Sequence, residues 1–414
     1  MASKRQQEAN WIRLCQMAFS FFVYAQAGMS DGSLGAQLDS LQSHYGLTFS
    51  VVSLIFLANA AGWLIASFLN IYLQSHLHFW KTLVIAAMTN IVGSTVIITL
   101  PPFPVFVVAL FINGIGACIY DASFATYTAY FDEGPAMSLL FAAFGVGALI
   151  APLIVAAMLV HHVSWNMYYY VSLGLSLLNM PLLWILFRKY RFPEGENAST
   201  GAQKRFIPVL QNRNVLTGGM LTTLSMASGE VVSSWIVTFM TDIRGGNDDA
   251  MRYVLSGYWV GLVLGRLLLV HATSYIGPKL ALTIYGIITI GLLAVIQSVD
   301  NVAVNAVATA LVGFFQAPST PMIISLSSKW VPASLVSPAI SILTAFGLVG
   351  SALGPLCVGF VNSAGGLRYL PSITMGIMGL TLGIWHLAPS APWKTGTVDS
   401  NQNIGAKSEL SSST

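Results

Sequence analysis

Along the chain, apolar residues gather into runs of about twenty, the length that one helix needs to cross a hydrocarbon core about 30 Å thick. Twelve such runs predict twelve membrane spans: 11–38, 48–72, 81–100, 104–130, 136–160, 165–188, 214–240, 251–271, 277–298, 302–327, 335–362 and 367–388. Breaks such as Pro101-Pro102-Phe103-Pro104 and His161-His162-Val163-Ser164 are so short that the spans they join must be antiparallel neighbours. Residues 189–213 are long and polar, and they divide the spans six and six. The pattern predicts an all-α integral membrane protein with an N-terminal segment (1–10), a six-helix bundle (11–188), a linker (189–213), a second six-helix bundle (214–388) and a tail (389–414).

Composition agrees with lipid as the main solvent. Of 414 residues, 55% are hydrophobic and 8% charged, against roughly a quarter charged in an average soluble domain. The net charge of +3 is small and scattered, which excludes the basic patch of a nucleic-acid binder. Cys15, Cys118 and Cys357 have no close spacing and lie in apolar runs, so they read as packing residues rather than as disulfide or metal ligands. Lys4 and Arg5 precede a first run too long for a signal peptide, so it is expected to be retained. Placing the N-terminus in the cytoplasm puts fifteen of the eighteen basic residues on inner segments and leaves Arg244, Arg252 and Arg368 outside, as the positive-inside rule requires. Both termini and the linker are therefore expected in the cytoplasm of a multi-pass protein, most naturally of the cell membrane. The Asn197-Ala198-Ser199 sequon is then on the wrong side for glycosylation.

The halves repeat one another. At an offset of 199, Gly62 and Ala66 meet Gly261 and Gly265, Gly114 meets Gly313, and Asp31 meets Glu230. Ala143-Phe144-Gly145 with Gly147 and Pro152 recurs as Ala345-Phe346-Gly347 with Gly350 and Pro355. Two parallel six-helix repeats about a central linker resemble the major facilitator superfamily, which implies two pseudo-symmetric bundles with a substrate site near the midplane between them. Asp31-Gly32-Ser33-Leu34-Gly35, Val52-Ser53-Leu54-Ile55-Phe56-Leu57 and Trp235-Ile236-Val237-Thr238-Phe239-Met240 look like a fungal fucose-permease-like branch. One departure stands out. Between the second and third spans the superfamily carries a Gly/Asp/Arg-rich signature, and residues 70–81 here read NIYLQSHLHFWK.

Three carboxylates lie within spans: Asp31, Asp121 and Glu230. An ionised group at membrane depth costs at least a few kcal/mol, so such residues usually face a cavity and work there. Low dielectric disfavours the charged form of a carboxylate, which suits it to trade a proton as its surroundings turn from wet to dry. Asp31 shares a helix face with Gly28, Gly32 and Gly35, a face that allows close backbone approach or local unwinding. The bland alternative for Asp31 is a helix-break cap. Fucose-type proton symporters keep one acid in the first span and one in the fourth, so the resemblance ranks Asp121 first as proton carrier, then Asp31, then Glu230.

Gln26, Asn113 and Gln316 are expected substrate ligands because the first, fourth and tenth spans line the cavity in the superfamily. Tyr24, Tyr127 and Trp259 are candidates for stacking on a solute, although a membrane Tyr or Trp as often packs or marks the interface. Gly147 and Pro152 in the fifth span, with Gly350, Gly354 and Pro355 in the eleventh, are expected hinges. Arg266, about a turn and a half from the inner end of the eighth span, reads as a side chain snorkelling to the cytoplasmic interface. That leaves the centre without a cation and makes a strongly anionic substrate unfavourable.

His76 and His78 lie on the opposite side from His161 and His162, so no metal site is expected, and no cofactor. A P-loop, a dinucleotide fingerprint and a nucleophile elbow are all missing, which argues against an enzyme. The reading is a proton-coupled secondary transporter whose partners are protons, a small-molecule substrate and the bilayer, acting as a monomer. Aromatic-rich, cation-free spans tilt it toward efflux of a mostly apolar metabolite, with proton-coupled uptake of a sugar or polyol as the alternative. A non-transporting sensor or scaffold is the competing class.

Overall fold

The computed structural model describes residues 2–129, 135–190, 212–327, 330, 336–363 and 366–388. Among these the long helices are α1 (Ala2–Tyr45), α2 (Leu54–His76), α3 (Phe79–Ile98), α4 (Phe103–Ala129), α5 (Pro135–Val160) and α6 (Tyr168–Phe187) in the first half. The second half contains α7 (Arg213–Thr238), α8 (Asp248–Ile276), α9 (Pro278–Ser298), α10 (Val302–Gln316, continued by Ser319–Ser327), α11 (Val336–Ser363) and α12 (Leu370–Leu387). Each expected span meets helix, with the second interrupted at Ser53, between Phe49–Val52 and Leu54–His76, and the tenth at Ala317-Pro318. Most of the expected linker and all of the tail lie outside the described residues. Residues 2–10 of the expected N-terminal segment are helical and continuous with α1.

Nine of these segments, among the described residues, are long and apolar enough to cross a membrane on composition alone; α1, α7 and α8 are not among them. For α1 and α7 the reason is their polar load. Asp31 is in α1, Glu230 in α7, and Arg252 and Arg266 in α8.

The two bundles share one packing plan. In the first, α1 packs on α5, α2 and α3 on α4, and α3 on α6; in the second, α7 packs on α11, α8 and α9 on α10, and α9 on α12. Across the middle, α5 meets α8, α11 meets α2, and α1 meets α7. The repeat read from the sequence holds down to single atoms. A Cβ on Gly62 would strike the Phe111 carbonyl and one on Gly114 the Asn59 carbonyl; in the second half Gly261 meets Ala310 and Gly313 meets Tyr258 in the same way. Every residue of the second pair of contacts lies 199 positions after its counterpart in the first.

Residues related by this offset also touch each other. The Thr238 hydroxyl donates to Asp39 Oδ1 (2.6 Å), a pair 199 positions apart. Gly35 presses on Ser234, and Asp31 interacts electrostatically with Glu230. Symmetry mates in contact must lie on the symmetry axis, so the axis follows the seam between α1 and α7. Along it stand Asp31/Glu230, Gly35/Ser234 and Asp39/Thr238, one helical turn apart.

The ends of the molecule differ. At the end away from the linker, one apolar cluster takes in Leu38, Val52 and Phe106 of the first bundle with Trp235, Leu255 and Val358 of the second. Toward the linker end, Phe79, Phe124, Tyr127 and Phe187 form a cluster of the first bundle alone, while Leu221 with Trp385, and Leu269 with Tyr285, belong to the second. Hydrogen bonds between the halves follow suit. Arg252 Nε donates to the Ala36 carbonyl (3.0 Å), Ser256 to the Leu149 carbonyl (3.2 Å) and Ser50 to Ser363 Oγ (2.6 Å), all in the far half. The bundles are thus joined at the far end and separately packed at the linker end.

Candidate functional site: a cavity between the bundles

Between the halves lies a cavity of about 250 Å³. Asp31, Asp121, Glu230 and Arg266 all line it, each half-buried. Helix direction explains why these four meet. Side chains tilt toward the N-terminus of their own helix. α1 and α7 run from the linker end to the far end, so Asp31 and Glu230 tip back toward the linker. α4 and α8 run the other way, so Asp121 and Arg266 tip toward the far end, and the four charges converge on the midplane.

Each acid has its own surroundings. Asp121 accepts a hydrogen bond from the Tyr24 hydroxyl, which places it level with residue 24 of α1, about 10 Å nearer the linker end than Asp31. Glu230 Oε2 accepts from Ser233 (3.1 Å). Asp31 lies within an unbroken helix, so neither the cap reading nor local unwinding describes it. Its glycine neighbours serve packing instead: Gly28 lies against the Phe144 carbonyl, Gly32 against Ala148 and Gly35 against Ser233, each too close for a Cβ.

The expected substrate ligands divide. Gln316 and Trp259 line the cavity. Gln316 donates to Ser228 Oγ (2.5 Å) and accepts from Tyr258 (3.3 Å), while Trp259 is buried with Nε1 lacking any hydrogen-bond partner. The other four are corrected by the structure. Gln26 ties α1 to α6, donating to Ser176 Oγ (2.8 Å) and accepting from Asn179 Nδ2 (2.5 Å). Asn113 is buried against Gly93 of α3. Tyr24 stands behind Asp121, edge-on to Phe141 and Phe144. Tyr127 donates to Gln16 (2.9 Å) inside the linker-end aromatic cluster with Phe79, Phe187 and Tyr190. All four belong to spans that do border the cavity, and a single apolar-rich helix gives no periodicity sharp enough to say which polar residue faces inward.

Helical order continues through Pro152 and Pro355. Gly147 lies against the Ala25 carbonyl, Gly350 against the Thr223 carbonyl and Gly354 against Ala227, so these glycines set the spacing of α5 on α1 and of α11 on α7. The Pro355 carbonyl accepts from Trp235 Nε1 (3.0 Å). Of the cysteines, Cys118 alone is buried; Cys15 and Cys357 are exposed on the bundle surface.

Arg266 is the residue that sequence reasoning misplaced. Snorkelling to the linker end would turn the side chain against its helix direction, and the structure instead brings it into the cavity. The usable signal was orientation: an even-numbered span carries its side chains away from the linker.

Compared with known proteins, residues 20–247 and 218–412 match the family described as Major Facilitator Superfamily. "Bypass of stop codon protein 6" of Saccharomyces cerevisiae is 23% identical, over 90% of this chain and 82% of its own length. Among solved structures, the nucleoside transporter NupG superposes with a TM-score of 0.72 at 13% identity, covering 91% of this chain and 98% of that one. The fucose:proton symporter of E. coli gives 0.65 at 15% identity, covering 91% and 99%.

Proposed function

Because the chain belongs to the Major Facilitator Superfamily, we propose that its two bundles rock about the axial cavity and carry a small organic solute together with protons. The observation that supports this most is the placing of Asp31, Asp121 and Glu230 on one cavity between bundles whose shared apolar cluster, among the described residues, lies toward the far end. A rocking motion would alternately wet and dry these groups, and a carboxylate responds to that change by releasing or taking up a proton. One proton moving down 100 mV supplies about 2.3 kcal/mol, enough for modest accumulation. Asp121 is the leading carrier, since its Tyr24 contact links it to α1 and hence to any movement of α1 against α4. Asp31 and Glu230, paired on the axis, are the second site.

Export of a mostly apolar metabolite leaned on a cavity free of cations, and Arg266 removes that premise. Ser225, Ser233, Thr320 and Gln316 beside Trp63 and Trp259 suit a hydroxyl-bearing solute better. We therefore favour proton-coupled uptake, in line with the fucose-permease-like motifs and with the activity of the E. coli fucose:proton symporter. The basic-residue bias supports cytoplasmic termini and a cavity open to the cytoplasm. A single chain encloses the cavity, so a monomer suffices. The glycines at 147, 350 and 354 with Pro152 and Pro355 remain our candidates for the positions that absorb bending.

The test is flux into sealed vesicles containing the purified chain, under an imposed pH gradient, with monosaccharides and polyols beside apolar metabolites. Accumulation that collapses with the gradient is the expected result. Movement indifferent to the gradient, or none of either class, would overturn the reading.

A further inference from the structure

Arg266 makes no hydrogen bond and no ion pair among the described residues, and its Nε is sealed from solvent without an acceptor. A guanidinium carries five donors in a fixed fork and stays charged at every physiological pH. Leaving it unpaired inside the protein is costly, yet three carboxylates share its cavity and none of them is within ion-pair distance. Trp259 Nε1, on the same helix and the same cavity, is a second buried donor without an acceptor. One unpaired cation thus borders a space of small-solute size that the protein's own acids do not neutralise.

Resting on the transporter reading above, we infer that Arg266 is the anchor of a carboxylate subsite and that the solute is a hydroxylated monocarboxylic acid, such as a sugar acid. Its carboxylate pairs with the Arg266 fork, a planar two-point match. The hydroxyls of Ser225, Ser233 and Thr320 meet the hydroxylated body, with Gln316 and the Trp259 ring beside them. The charges that face this subsite from the surrounding helices are Asp31 on α1, Asp121 on α4 and Glu230 on α7, with the hydroxyl of Tyr258 on α8 next to Glu230. With the acids ionised, an incoming anion meets net negative charge. Once they are protonated, Arg266 is the remaining charge and the anion is accepted. Proton binding thus becomes the condition for solute binding, which is how symport of an anion with protons is enforced.

The experiment titrates the full-length purified protein with gluconate, galacturonate and glycerate and with their neutral counterparts glucitol, galactose and glycerol, reading Trp fluorescence at pH 5.5 and pH 7.5. At least one acid should bind at least about tenfold more tightly than its counterpart at the lower pH and weaken at the higher. Arg266→Gln should abolish that preference, and Arg266→Lys should restore part of it, with both variants checked for unchanged thermal unfolding without solute. Equal binding of each acid and its counterpart, or an acid preference that survives Arg266→Gln, overturns the inference. If galactose or glucitol accumulates in vesicles under a pH gradient and the acids do not, this inference fails while the transporter reading stands; if nothing moves with the gradient, the transporter reading fails as well.

Discussion

Asp121 is held by one protein donor, Tyr24, and otherwise opens on the cavity. A side chain with that exposure can exchange a proton without breaking a network. Asp121→Asn keeps the shape and the Tyr24 contact but removes the exchange. It should abolish gradient-driven accumulation while leaving solute binding within a few-fold; undiminished accumulation in vesicles would take Asp121 out of the mechanism. The acids could be found from the sequence because a carboxylate in a span is conspicuous against apolar neighbours. Arg266 and Trp259 were seen too, but the direction of the first was misjudged. Amides such as Gln26 and Asn113 gave no comparable signal, since bonding a neighbouring helix and lining a cavity leave the same trace in one sequence.

At the scale of the helix, α1 against α5 and α7 against α11 are held by glycines rather than by long side chains. Gly147 lies too near the Ala25 carbonyl for any Cβ, whereas Gly174 of α6 has nothing within 4 Å of where a Cβ would stand. Gly147→Ala should therefore cost about 1–3 kcal/mol through overpacking, while Gly174→Ala should be neutral or stabilising by up to about 1 kcal/mol through helix propensity. Thermal unfolding in detergent compares the two, and equal effects would refute the packing account. Hydrophobic run length located every helix to within a few residues, apart from the longer α1, because lipid thickness fixes that length. The break at Ala317-Pro318 was readable in principle from the proline; it was passed over because apolarity continues across it.

For the whole molecule, the closure at the far end rests on few polar contacts. Arg252 is almost fully buried and donates from α8 to the Ala36 carbonyl of α1, while Thr238 holds Asp39 beside it. Arg252→Ala removes that charge-assisted hydrogen bond, a loss of about 1.5–3 kcal/mol that shifts a two-state balance by roughly 10- to 150-fold. Spin labels on the far ends of α1 and α7 should report a wider separation in this variant, and an unchanged distance distribution would refute the latch. One more consequence follows from the composition of α1 and α7. Both carry an acid that lipid disfavours, and α7 finds its main shelter against α11 and α12, which the ribosome makes after it. Until those arrive, α7 has only a weak hold on lipid, so biogenesis of the second bundle must wait for its final hairpin before its acid-bearing helix is secured.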